Sequence, residues 1–161
     1  MNVLDAIRTR RNIKSFKSDP VPPERVQEWL QAAAYAPNHR MTEPWEVLRV
    51  GPATRAALAH KNDFGGAPLV LAVLSTPAKT EIDREEHVQA VACFIQNFML
   101  AAHSAGYGTG WSSLGSSPRS RKLLGVQEGY DVVGLIPVGL PQDVPALKPR
   151  TDIERKIREL P

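Results

Sequence analysis

Cysteine is nearly absent: Cys93 is the only thiol in 161 residues, so no internal disulfide can form, which fits a reducing compartment. Long apolar runs are missing too, and nothing approaches the roughly 18 consecutive apolar residues of a membrane helix. The opening Met1-Asn2-Val3-Leu4-Asp5 reaches an acid at once and has no apolar signal core, so a cytoplasmic protein with no membrane partner is expected. Charge of one sign is scarce as well. Twenty Lys and Arg stand against 17 Asp and Glu, and a net +3 does not by itself argue for nucleic acid. Hydrophobic residues at 42% and charged residues at 23% exclude wholesale disorder, and the length suits one domain spanning 1–161.

Familiar chemical motifs are missing in turn. There is no phosphate loop, and Gly106-Tyr107-Gly108-Thr109-Gly110 follows a helix rather than joining a strand to one, the wrong setting for a dinucleotide fingerprint. His39, His60, His87 and His103 lack metal-ligand spacing, and Cys93 lies in an apolar stretch without a neighbouring base. No nucleophile elbow is present. No metal site and no catalytic side chain are expected.

What is present is periodicity with clear punctuation. Asn2 can cap a first helix bearing Val3, Leu4 and Ile7 on one face. After Pro20, Pro22 and Pro23, a second helix runs up to Pro37 with Val26, Trp29, Leu30 and Ala33 as its stripe. Residues 45–50 read as a strand and 53–60 as a helix, while 67–74 form an apolar run typical of a strand buried on both faces. The longest helix spans 83–104 and is apolar nearly all round over 90–102, which predicts a core helix or one covered by a second subunit. Gly106 is placed to terminate it. Ser117-Pro118 opens a short helix to Leu124, and 132–138 is a second apolar strand. Thr151-Asp152-Ile153-Glu154 has the capping-box pattern, which predicts a last helix with Ile153, Ile157 and Leu160 on one side. The mixture favours an α+β layered fold over a regular doubly wound sheet.

Placement of charge says more than its total. Arg8, Arg10, Arg11, Lys14 and Lys17 fall within ten residues free of acids, and Lys148 and Arg150 form a second basic group near the other end. The two groups either converge on one anion or stand as separate solvated patches. In Arg10-Arg11-Asn12-Ile13-Lys14-Ser15-Phe16, guanidinium forks suit phosphate oxygens and an amide suits a heterocycle or a sugar-like hydroxyl. The same residues can equally be a helix end stabilised by its dipole.

These residues bring out a resemblance that covers nearly the whole chain. The FMN-dependent nitroreductase family opens with the pattern seen at Arg10, Arg11, Asn12, Lys14 and Phe16 after a short helix, then a second helix ending as at Ala36-Pro37. It continues to a Gln-Pro-Trp element, here Glu43-Pro44-Trp45, and to a core helix similar to 91–102. A Gly-rich turn into Trp111, a strand ending like Ile136-Pro137-Val138-Gly139, and Lys148-Pro149-Arg150 complete the order.

The resemblance implies a three-layer fold in which a mixed or antiparallel central sheet is packed with helices, among them a long buried core helix. It implies that Arg10, Lys148 and Arg150 meet at the FMN phosphate, which favours the converging reading of the two basic groups. Arg11 and Asn12 would face the ribityl chain and pyrimidine edge, and Lys14 the O2 and N1 side of the ring. His39 would reach the flavin of a neighbouring subunit in a homodimer with flavins at its interface, and Ser112, Ser113 and Leu114 would pack along the flavin. The implied activity passes hydride from NADH or NADPH through FMN to a nitroaromatic, quinone or similar small acceptor by a ping-pong mechanism. Two departures stand out. Glu43 replaces the family's Gln, and several short members have Arg where Ser112 stands. Two rival readings are a flavin-binding protein without reductase activity and a basic nucleic-acid-binding module, whose affinity would fall steeply with salt.

Overall fold

In the computed structural model, residues 1–59 and 62–161 are described, and His60 lies outside them. Asn2 opens α1 (Val3–Thr9) by accepting the Asp5 N–H on its side chain at 2.9 Å. Pro23 occupies the first turn of α2 (Pro23–Ala33), where its missing N–H costs nothing. Val26, Trp29 and Ala33 bury there as expected and Leu30 does so partly. The helix stops at Ala33, and a turn carries the chain to Pro37.

The sheet has the order β1-β2-β4-β3, with β1 (Trp45–Arg49), β2 (Leu69–Ser75), β4 (Asp131–Gly139) and β3 (Gly108–Thr109). All three strand pairings are antiparallel. β2 is the central test of the buried-strand reading. Leu71 and Val73 enter one apolar cluster with α2 and α5 (Glu81–Ser104), whereas Val70, Ala72 and Leu74 enter the other. That second cluster also holds Leu58 of α3 (Pro52–Leu58) and Leu123 of α6 (Pro118–Leu123). Alternate side chains of one strand thus face opposite helical layers, which makes three layers.

Thr80 caps α5 by accepting the Asp83 N–H, and the helix runs 24 residues, about 36 Å at 1.5 Å per residue. Its stripe from Ala90 to Ala102 is buried, with Phe94 stacked on Trp45 at a 5.1 Å centroid separation. The opposite side is uncovered within one chain. Gln89 and Cys93 are exposed, and Ala92 and Leu100 only half-buried, so one subunit covers only one side of this helix. Arg84 on α5 grips Asp131 at the start of β4 through bonds of 2.7 and 3.0 Å. That hydrogen bond holds the Asp131 carboxyl below its ordinary range.

Three expectations need correction. The 53–60 helix ends earlier: α3 closes at Leu58, and Ala59 takes a left-handed cap at φ 51°. The α1 stripe of Val3, Leu4 and Ile7 shares a face but points to solvent, leaving only Ala6 buried. The last helix is replaced by a single 3-10 turn, Ile153–Lys156, capped by Asp152 rather than Thr151. Residues 142–161 are all exposed, so Ile153, Ile157 and Leu160 find no apolar surface in their own chain. A short helix without such a surface does not repay its nucleation.

Candidate functional site

Beyond α1 the chain runs extended along the outer side of β3 and joins the sheet. The Ile13 N–H donates to the Thr109 carbonyl at 2.9 Å, and Asn12 bridges Thr109 in parallel fashion. The Lys17 N–H donates to the Leu140 carbonyl, and Phe16 bridges Pro141. Ile13 and Phe16 are buried, which leaves Asn12 and Lys14 exposed on this strip. The strip lies close against β3: a Cβ on Gly108 would stand 2.6 Å from Ile13 Cγ1. Asn12 Oδ1 accepts the Trp111 N–H at 3.1 Å, which leaves the amide NH2 as its remaining donor.

Two cavities meet at this strip. The first, about 500 Å³, is lined by Arg10, Arg11, Lys148 and Arg150, with Pro145–Leu147 forming an apolar edge. The second, about 530 Å³, is walled by Gly110, Trp111, Ser112, Ser113 and Pro137 on one side and Phe64 and Gly65 on another. Asn12 and Lys14 line both. The two basic groups, far apart in sequence, therefore flank one cavity, and among the described residues no carboxyl group lines either one.

The first cavity gathers positive charge. Burial pulls the Arg10 guanidinium below the usual arginine range, and the nearby positive charges of Arg11 and Arg150 act in the same direction. Among the described residues Arg10 has no acidic partner. Beneath it, His103 of α5 bonds Thr9 Oγ1 at 2.8 Å. Burial, then Arg10 and Arg11, push its pKa down as well. Like charges held together without counter-charges are what an anionic group would neutralise.

Not every expected residue is brought here. Leu114 turns into the apolar cluster under β4, and only its neighbours Ser112 and Ser113 line the cleft. His39 stands elsewhere in the subunit, its Nδ1 3.4 Å from Glu86 Oε2 of α5. Glu43 is in the same loop, at φ 45°, with its N–H held by Asn38 Oδ1 at 2.9 Å. Within one chain neither lines the two basic-strip cavities.

The model of the nitroreductase family matches residues 7–62 and 55–140. The chain belongs to the nitroreductase family. YfhC of Bacillus subtilis (strain 168), named as a candidate NAD(P)H nitroreductase, is 31% identical over 97% of this chain and 93% of its own length. A nitroreductase-like family protein from Bacillus cereus superposes with a TM-score of 0.89 at 26% identity, covering 99% of this chain and 96% of that one. The NADPH:FMN oxidoreductase from Vibrio harveyi, solved with NAD+, shares the fold at a TM-score of 0.88 and 24% identity, over 97% of this chain and 76% of its own. Nitroreductase homologues of this kind place the chain among oxidoreductases.

Sequence reasoning missed one wall of the nitroreductase cleft. The segment α4 (Asn62–Gly66) is a single turn wound left-handed at Asp63 (φ 45°), Phe64 (φ 56°) and Gly65 (φ 72°). The Gly65-Gly66 pair was the only local sign of it, since glycine alone adopts such angles freely.

Proposed function

We propose that this nitroreductase-family chain is an FMN-dependent oxidoreductase passing hydride from NADH or NADPH to a nitroaromatic, quinone or similar acceptor by a ping-pong mechanism. The observation that supports it most is the junction of an acid-free cationic cavity with an open cleft, both lined by Asn12 and Lys14. A phosphorylated cofactor with a flat ring fits that pair: a dianion for the arginines, a ring for the glycine-edged cleft. Arg10, Lys148 and Arg150 hold the phosphate through charge-assisted bonds. Arg11 has one nitrogen already engaged by the Arg8 and Arg10 carbonyls, so it meets the ribityl chain with what remains of its fork. The amide NH2 of Asn12 serves the pyrimidine edge. Lys14 sets a positive charge at the O2 and N1 side of the ring, where it favours the reduced cofactor. Ser112 and Ser113 pack along the ring.

When bound, FMN supplies the hydride acceptance and donation that the side chains lack. With no carboxyl group lining either cavity among the described residues, protons come from water. The partner's copy of the His39 loop completes the site in a homodimer. The exposed Val3, Leu4 and Ile7 of α1 and the uncovered side of α5 favour that assembly. Light scattering on the eluting protein should give twice the chain mass.

An anaerobic spectrum tests the activity. The purified protein, or protein mixed with FMN, should show bound flavin absorption that NADH or NADPH bleaches. Bound flavin that neither donor bleaches would leave a storage protein. A protein that binds no flavin at all defeats the reading. Reversing Arg150 to Glu tests the phosphate clamp. FMN affinity should fall about ten- to a hundredfold or more, for a lost bond of about 1.5–3 kcal/mol, while riboflavin binding barely changes. Equal loss for both ligands places the phosphate elsewhere.

A further inference from the structure

The left-handed turn at 63–66 is held from outside the cleft. Arg55 of α3 has its side chain only 12% exposed and spends it on one residue. Its Nε donates to Asp63 Oδ1 at 3.1 Å, and its Nη2 donates to Asp63 Oδ2 at 2.9 Å and to the Asp63 carbonyl at 3.2 Å. Consecutive left-handed residues with side chains do not persist by local preference, so such a turn needs outside anchors. Arg55 is one of them. Phe64, 3% exposed within the lower apolar cluster, is the second. The third is the bond from the Phe16 N–H to the Gly65 carbonyl at 3.0 Å.

Anchored in this way, the turn bears on the basic strip. A Cβ on Gly65 would lie 2.0 Å from the Lys14 carbonyl oxygen and 3.3 Å from Ser15 Cα, so backbone meets backbone with no side chain between. Gly65 and Lys14 line the same cleft, and Arg55 lines neither cavity. α3 is itself fastened, because its Ala57 carbonyl accepts from Arg119 Nη2 at 2.8 Å. A continuous path of contacts therefore runs from α3 through Asp63 and Gly65 to the main chain of Lys14.

We propose that Arg55 is a positioning residue which, by holding Asp63, fixes the Lys14 ammonium against the ring end of the cleft. The proposal rests on the flavin reading for its consequence: the Arg55–Asp63 pair would set how strongly the site favours reduced over oxidised cofactor. Loss of the pair lets the turn relax, and Lys14 withdraws from its place.

The test uses the full chain with FMN bound. Arg55→Ala should bind FMN, with its phosphate cavity intact, but lose about tenfold in the preference for reduced flavin. That is a midpoint potential about 30 mV more negative for a two-electron couple. Arg55→Lys, which retains a donor for Asp63, should recover part of the shift. In a Lys14→Ala background the Arg55→Ala shift should vanish, because the two changes act on one path. Amide exchange of the Phe16 N–H, measured without flavin, should be faster in Arg55→Ala. If Arg55→Ala unfolds, Asp63→Asn, which keeps one acceptor, replaces it in each measurement. An unchanged potential in folded variants, or a shift that survives in the Lys14→Ala background, overturns the proposal while bound flavin leaves the cofactor reading intact. A wild-type chain that binds no flavin removes both, and the two failures are thereby distinct.

Discussion

The two basic arms at the candidate site are built in opposite ways. The N-terminal arm is sewn into the sheet: Ile13 and Phe16 are buried, and their N–H groups are paired with Thr109 and Gly65. The C-terminal arm brings Lys148 and Arg150 to the same cavity on a segment whose residues are all exposed from 142 onward. Among the described residues its Arg150 donates only to the Lys148 carbonyl two residues away. One arm is held by the sheet of its own chain, whereas the other buries none of its residues from 142 onward, so less of its conformational entropy is offset by packing within the chain. Changes to the first should therefore register in protein stability, and changes to the second in ligand affinity.

The hardest blow to the fixed arm is Gly65→Ala, which combines a positive φ of 72° with a contact of 2.0 Å to main chain. Overpacking and left-handed strain together should cost about 3 kcal/mol, or about 10 °C in Tm for a chain of this size, read in a thermal melt. An unchanged Tm would mean that the turn does not press on Lys14. Arg150→Ala is the mirror experiment on the loose arm. Calorimetric titration should show FMN binding weaker by about 1.5–3 kcal/mol, with the melting curve of the free protein unmoved. A fall in Tm there would erase the contrast between the arms.

Asn12→Ala is smaller and sharpens the first half of the comparison. It removes the acceptor of the Trp111 N–H, so about 1 kcal/mol of stability should go, measured by urea unfolding. The least effect is a pH dependence. Because the folded pKa of His103 lies below its ordinary 6.5, the unfolded chain holds more protons in the window between the two values. Stability should fall as pH drops below 6.5 and level off once the folded value is passed. His103→Gln should flatten that slope, and Arg10→Ala should weaken it, because Arg10 contributes to the depression. A slope that Arg10→Ala leaves intact would assign it to burial and Arg11.

How far the sequence could be read follows from which forces are local. β2, β4, α2 and α5 were legible because their burial is written in period, alternate or helical, along contiguous residues. The last helix failed for the converse reason. Thr151 to Glu154 has the pattern of a cap, but capping cannot supply the apolar surface that Ile157 and Leu160 lack. The basic strip at Arg10 to Lys14 and its meeting with Lys148 and Arg150 were legible only by resemblance, because that meeting depends on a tertiary path that no spacing encodes. The wall at Phe64 and Gly65 was hidden because it depends on Arg55 and on the backbone of Lys14, neither of which its own sequence mentions.

The seam between Asn12 and Trp111 joins residues 99 positions apart, and the pairing of Phe16 with Pro141 closes a longer loop still. Contacts of such separation form late, since closing a long loop costs entropy before any contact repays it. On the ribosome Arg10 and Arg11 emerge well ahead of Lys148 and Arg150, and must wait for them before the cavity they share can form. Competence to capture an anion would therefore arise only once both arms are in place, and loading of the proposed cofactor would follow folding in time rather than guide its early steps.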